Sequence, residues 1–254
     1  MIIFYQIKAV VVAFALLIFI LLPGVVISIP FSLRNRLRII GPVWSFCSEM
    51  LLKHACKAQI GMQEDLRSDA FKIVPAYGLF ISNHQSFLDI PLLSTLYQIP
   101  PIMKQEILYI PIFGWIAWIS GAMPLSRASN QSRKKVFTQA KRRILGDKLA
   151  VQVYPEGTRS KNAHPKEFGE IKKTLLIFAY REKIPVIPTS VYGTRNVLSD
   201  LGIVRVNKNV GIIVHKEIFP EHFSSADEFC RACWEKVREG FFLMENKLSP
   251  LCEN

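Results

Sequence analysis

The chain is poor in the features that most often announce a protein's chemistry. It has five cysteines in 254 residues, Cys47, Cys56, Cys230, Cys233 and Cys252. An odd, scattered set argues against a disulfide framework. Cys230-x-x-Cys233 lacks the second Cys/His pair that a zinc site requires, and the histidines make no ligand cluster. There is no G-x-x-x-x-G-K-[ST] loop and no G-x-G-x-x-G turn, so ATP and dinucleotide chemistry have no support. There is no G-x-S-x-G elbow to present a nucleophilic serine. Acidic residues are scarce, 20 against 32 Lys and Arg, for a net charge of +12. No nucleic-acid motif or aromatic-interleaved basic stripe accompanies that charge, so nucleic acid is not the expected partner. An anionic lipid surface is a better match.

Charge is missing altogether from Ala9 to Ile29. As an unbroken helix this run would be ~31 Å long, close to the ~30 Å hydrocarbon core of a bilayer. It ends in Ile29-Pro30-Phe31 and then Arg34, Arg36 and Arg38 rather than in a small-residue cleavage site, which points to a retained anchor with its basic flank in the cytoplasm. Pro23-Gly24 should kink or stop the helix. A second apolar segment, about Ile39–Leu52, contains Gly41-Pro42. Two topologies follow: a single spanning helix, or a helical pair that dips into one leaflet and leaves on the same side. The domain expectation is an anchor over 1–62 and an α/β domain over 63–254, with the polar passage Gln63–Asp69 at the junction. A second basic cluster, Arg133, Lys134, Lys135, Lys141, Arg142 and Arg143, reads either as a solvated helix face or as a docking surface for an acidic carrier or a polyphosphate.

From Phe71 onward, short apolar runs alternate with helical stretches. The predicted strands are Gly78–Ser82, Ile99–Met103, Ala122–Leu125, Leu149–Val153, Pro185–Val191 and Val210–Ile218. The predicted helices are Ser86–Leu96, Ile112–Ile119, Ser132–Leu145, Ile171–Arg181 and Ala226–Leu248. This is the pattern of an α/β fold, a mostly parallel sheet covered by helices.

Two motifs carry the chemistry. In Asn83-His84-Gln85-Ser86-Phe87-Leu88-Asp89, a helix starting near Gln85 would put Asp89 about one turn beyond His84. The carboxylate could then hold one imidazole nitrogen and leave the other as a base. Ser86 near a helix start reads as a cap before it reads as a nucleophile. In Tyr154-Pro155-Glu156-Gly157-Thr158-Arg159-Ser160, Gly157 permits a tight turn with close backbone approach to a ligand. Thr158 can donate to a phosphate, and Arg159 can grip one bidentately.

These residues resemble the membrane-associated glycerolipid acyltransferases, most closely the 1-acylglycerol-3-phosphate acyltransferases. Five ordered matches carry the likeness: Asn83–Asp89; Lys104-Gln105-Glu106-Ile107; Gly121–Arg127; Pro155–Ser160; and Val186–Val191. It spans about residues 71 to 195. Within the third match, Pro124-Leu125-Ser126 departs from the family pattern, and Ile171-Lys172-Lys173-Thr174 departs from it after the fourth. The resemblance implies that His84 deprotonates the free hydroxyl of a lysophospholipid, which attacks an acyl thioester, with Asp89 orienting His84. It assigns the acceptor phosphate to Arg159, helped by Arg127 and by Lys104 or Lys173, in a pocket shaped by Glu156, Gly157 and Thr158. Backbone amides near His84 would stabilise the oxyanion. No metal or other cofactor is implied. The donor is acyl-CoA or acyl-carrier protein, the acceptor lysophosphatidate or another lyso-lipid. A lipid hydrolase using Ser86 and a non-catalytic binder of anionic lipid are the alternatives.

Overall fold

A computed structural model describes residues 2–72, 76–97, 99–126, 128–160 and 162–249. The apolar N-terminus forms α1 (Ile2–Leu16), which runs on through a widened turn, Leu17–Leu21, into α2 (Leu22–Ser28). Pro23-Gly24 therefore does not stop the helix. The turn widens just before the proline, with the Leu22 amide reaching back to the Leu17 carbonyl, and the proline sits in the first turn of α2, where its missing N–H costs least. The chain reverses at residues 29–32. Ser32 caps α3 (Leu33–Glu49) by accepting from the Asn35 amide. Leu21 and Val25 then pack with Ile40 and Cys47 of α3, so the two limbs form a hairpin.

Both ends of this hairpin rest on the rest of the protein. Near the start, the Gln6 side chain pairs with both backbone groups of Val204, at 2.9 and 3.0 Å. At the tip, Arg34 donates to the carbonyls of Asp147 and Lys148, and Arg36 to that of Ile119. The outer face carries Phe4, Ile7, Val11, Phe14, Phe19 and Ile27, all exposed.

After the hairpin come β1 (Gln59–Asp65), β2 (Leu79–Ser82), α4 (Asp89–Ser94), β3 (Ile102–Lys104), α5 (Phe113–Ile119), β4 (Met123–Leu125), α6 (Asn130–Lys141), β5 (Val151–Val153), α7 (Thr174–Arg181), β6 (Val186–Tyr192), α8 (Thr194–Val197), β7 (Asn209–Val214) and α9 (Ala226–Leu248). The main sheet has the order β1-β7-β6-β2-β5, with every pair parallel except β6 and β7. A small parallel pair, β3 and β4, stands beside it.

The period-two alternation of strand side chains divides the core into two. Phe80, Ile187, Val191 and Val210 face Leu52, Leu92 and Leu93. Leu79, Ile81, Val151 and Val186 face α6, α7 and α9, where Trp234, Phe229 and Val237 are fully buried. The expected mostly parallel, doubly covered α/β sheet is present, and α9 has its predicted bounds. The edge strand β1 is an addition. Its polar sequence, Gln-Ile-Gly-Met-Gln-Glu-Asp, hides it because only alternate residues turn inward at the sheet edge. It runs through residue 62, where the sequence placed the end of the anchor.

Candidate active site

Three neighbouring strands, β5, β2 and β6, run parallel, and the chain leaving each of their carboxyl ends enters one site. His84 follows β2, Tyr154–Arg159 follows β5, and Gly193–Arg195 follows β6.

The loop after β2 is not the helix start expected from the sequence, because α4 begins only at Asp89. Residues 83–88 instead wrap around the Asp89 side chain. Its Oδ2 accepts from the Gln85 amide at 2.7 Å, from the Ser86 amide at 3.0 Å and from His84 Nδ1 at 2.7 Å. Its Oδ1 accepts from the Thr194 hydroxyl. Asp89 is fully buried, and four donors compensate the desolvated carboxylate. With Asp89 ionised, Nδ1 carries the imidazole proton and Nε2 is left to accept one. Asn83 fixes the entry to the loop, its amide pairing with both backbone groups of Val191 at 2.8 Å.

The wrapping uses up the backbone donors of His84, Gln85 and Ser86. The His84 amide goes to Glu156 Oε1 at 3.2 Å, and those of Gln85 and Ser86 go to Asp89. These amides are therefore not an oxyanion hole, contrary to expectation. Ser86 is 1% exposed; its hydroxyl donates to the Leu198 carbonyl and accepts from the Leu88 amide.

The loop after β5 is a tight turn. The Gly157 amide bonds the Tyr154 carbonyl at 2.9 Å, and Gly157 has φ +69°. A Cβ there would be strained and would stand 3.0 Å from the Lys172 side chain. The two motifs are joined directly: the Ser160 amide donates to the His84 carbonyl at 2.8 Å. Tyr154 stacks on His84 with ring centroids 4.2 Å apart. Glu156 is buried, with Oε2 unpartnered among the described residues. Burial pushes its carboxyl up to about 8, against the opposing bond from the His84 amide. It is thus mostly a neutral acid at pH 7.

These groups open onto a cleft of about 600 Å³. Its polar lining includes His84, Lys104, Arg133, Thr158, Arg159 and Lys172. Its apolar lining includes Ile102, Met103, Leu125, Val136, Phe137 and Leu176. The small β3–β4 sheet and α6 thus supply much of the apolar lining, while the loops leaving the main-sheet strands supply His84 and Arg159. The volume falls within the range of ligand sites.

The model of the family described as Acyltransferase matches residues 68–192. Those 125 residues, about half of the chain, are the acyltransferase part of it. The chain is 34% identical to the chloroplastic 1-acyl-sn-glycerol-3-phosphate acyltransferase of Arabidopsis thaliana, over 65% of this chain and 45% of that protein. It is 28% identical to the 1-acyl-sn-glycerol-3-phosphate acyltransferase of Saccharomyces cerevisiae, over 69% of this chain and 57% of that one. The chain spans about half the length of these curated relatives. The fold also matches the crystal structure of the 1-acyl-sn-glycerophosphate acyltransferase of Thermotoga maritima, with a TM-score of 0.76, 19% identity and 96% of each chain covered.

The other candidate residues divide between the cleft and the surrounding fold. Lys104 lines the cleft and pairs with Glu106 at 3.2 Å. Lys173 bonds Asp227 at 3.0 Å and lies over the Phe168 ring, whereas its neighbour Lys172 lines the cleft. Arg127 lies outside the described residues. The basic cluster on α6 divides. Arg133 lines the cleft, Lys141 pairs with Glu182, and Arg143 is buried and donates to the Gly121 carbonyl.

Tyr154, Thr194, Arg195 and Asp200 have contacts in the site but were given no role from the sequence. Tyr154 had a usable signal, as an aromatic residue at the head of a motif. Thr194 and Arg195 had only their position just after the last match, Val186–Val191.

Proposed function

We propose that the protein is a lysophosphatidate acyltransferase, moving an acyl group from a thioester to the free sn-2 hydroxyl of 1-acylglycerol 3-phosphate and releasing phosphatidate and a thiol. The observation that carries the reading is the His84–Asp89 pair, opening into a cleft lined by both cationic and apolar side chains. His84 Nε2 takes the proton of the acceptor hydroxyl, and the oxygen attacks the thioester carbonyl. The tetrahedral intermediate collapses with loss of the thiolate, which the imidazolium can protonate. Asp89 fixes the tautomer and stabilises the imidazolium. Tyr154 limits rotation of the ring by stacking on it. Arg159 receives the acceptor phosphate, with Lys172 and Lys104 adding positive charge along the same cleft. The apolar lining holds an acyl chain. Glu156 and Gly157 set the turn that presents Thr158 and Arg159. Acyl-CoA or acyl-carrier protein is the donor.

The hydrolase alternative needs an available Ser86, and that hydroxyl is buried and doubly bonded. Purified protein should transfer acyl groups from acyl-CoA to lysophosphatidate with one thiol released per phosphatidate formed. Release of free fatty acid without phosphatidate would refute the reading.

We further propose that the N-terminal hairpin lies in one leaflet at the cytoplasmic face. The helix from Phe4 to Ser28 is long and apolar enough to cross a membrane. Yet Gln6 near one end and Arg34 beyond the other both bond to the α/β body. A spanning helix would carry those ends to opposite faces. A hairpin lying against the body can bury its exposed apolar face in lipid while both ends remain on one side.

A further inference from the structure

Asp200 stands between two arginines. Its Oδ1 lies 3.3 Å from Arg159 Nη1, and its Oδ2 lies 2.5 Å from Arg195 Nη2. The carboxylate also lines the catalytic cleft. Two guanidinium groups converging on two oxygens of one small anion is the arrangement that binds a phosphate. Here a side chain of the protein occupies it.

Arg195 is also anchored through its second terminal nitrogen. Its other terminal nitrogen, Nη1, donates to the carbonyl of Ser160, the residue after Arg159. The Ser160 amide in turn bonds His84. Arg195 is thus tied to the backbone link between the two motifs. Its neighbour Thr194 donates to Asp89. The local backbone makes this possible. Gly193 has φ +81°, and a Cβ there would come 2.1 Å from the Asn209 carbonyl oxygen. A left-handed glycine turns the chain so that consecutive side chains reach the base-orienting carboxylate and the arginine pair.

Asp200 is placed to leave. It sits on a short turn closed by the Ser199–Ile203 and Gly202–Ser199 backbone bonds, with Leu201 at the tip 86% exposed. The base of the turn is pinned through Val204, which pairs with Leu198 and Gln6. Rocking the tip costs no core packing. Asp200 and Arg195 also wall a second cleft, of about 480 Å³, whose lining includes Arg205, so Asp200 joins the cleft of Arg159 to that of Arg195.

We infer that Arg159 and Arg195 form a two-guanidinium clamp for the acceptor's phosphate, and that Asp200 is the internal anion which that phosphate displaces. The inference rests on the acceptor reading above.

Glycerol 3-phosphate carries the head-group charge without the acyl chain. It can be titrated by calorimetry into the full-length protein in micelles, with glycerol as the neutral control. Arg195→Gln should weaken binding about tenfold or more, the usual cost of losing a charged hydrogen bond. Arg195→Lys should recover part of it, and Asp200→Asn should tighten binding severalfold. In turnover, Arg195→Gln should raise the KM for lysophosphatidate and leave the KM for acyl-CoA unchanged; a fold defect would move both. Wild-type affinity in Arg195→Gln, or weaker binding in Asp200→Asn, overturns the clamp. The two readings fail separately. The predicted binding pattern without acylation of lysophosphatidate keeps the clamp and removes the acceptor assignment. Acylation that is insensitive to Arg195 removes the clamp alone.

Discussion

Replacing Asp89 by Asn separates catalysis from stability in a way the structure makes quantitative. The carboxylate accepts four hydrogen bonds and is fully buried. An amide of the same shape offers one accepting oxygen and an NH2 group. If its oxygen keeps the Gln85 and Ser86 amides, the NH2 faces the Thr194 hydroxyl, which can turn round and accept. His84 Nδ1 then loses a charged acceptor. Two or more charge-assisted bonds become neutral ones, at about 1 kcal/mol or more each. The fold should lose roughly 2–4 kcal/mol, a fall in Tm of about 5–10 °C at this chain length. The catalytic loss should be larger. Without a carboxylate the imidazole is free to take the wrong tautomer, and in serine proteases the equivalent change costs about 10⁴ in kcat. The double mutant with His84→Ala is the decisive assay. With the base already gone, Asp89→Asn should cost no further activity but should still lower Tm. An Asp89→Asn protein that melts like wild type and turns over within about tenfold of its rate would refute the argument.

Arg159→Lys should raise the KM for the acceptor more than that for the donor, by about tenfold or more, because lysine lacks the planar fork; equal effects on both would count against a phosphate role. Glu156 is raised from 4.5 to about 8, so the folded state retains a proton that the unfolded state has lost between those values. Stability should therefore fall as pH rises from 4.5 to 8 and then level off. Glu156→Gln, which keeps the bond from the His84 amide, should flatten that limb and stabilise the protein at pH 8 by a few kcal/mol, read from denaturant midpoints at each pH. Gly240→Ala should destabilise by about 1–3 kcal/mol. A Cβ there would stand 2.3 Å from the Ser190 hydroxyl and 2.4 Å from His215 Nε2, and a wild-type Tm would contradict this packing. Cysteines introduced as Ile2→Cys and Asn35→Cys in a Cys252→Ser background should label with an impermeant maleimide from the same side of sealed vesicles; labelling from opposite sides would establish a spanning helix.

Much of the fold was legible because its signals are local. The apolar runs at Leu79–Ser82, Leu149–Val153 and Pro185–Val191 predict the three strands that deliver the site, since a strand buried on both faces has no need of polar residues. Ala226–Leu248 shows its helical period over 23 residues and is a helix over that span. His84 and Asp89 are close in sequence, so their pairing needed only a loop in place of the expected helix start. The edge strand β1 escaped notice because half its side chains face water, and its alternation is blurred by Glu64-Asp65.

What the sequence determined by itself was therefore the elements and the residue types offered to the chemistry. What only tertiary structure decided was which of those residues meet. Lys172 rather than Lys173 turns into the cleft because Asp227, 54 residues further on, claims Lys173. Thr194 completes the shell of Asp89 across 105 residues, and Arg195 bonds Ser160 across 35. The amides expected to serve an oxyanion are spent on holding Asp89 and Glu156. Such contacts form where separate strand ends are brought side by side in one sheet. No periodicity or local spacing records them, because the physical cause is the packing of distant segments and not the conformational preference of any one of them.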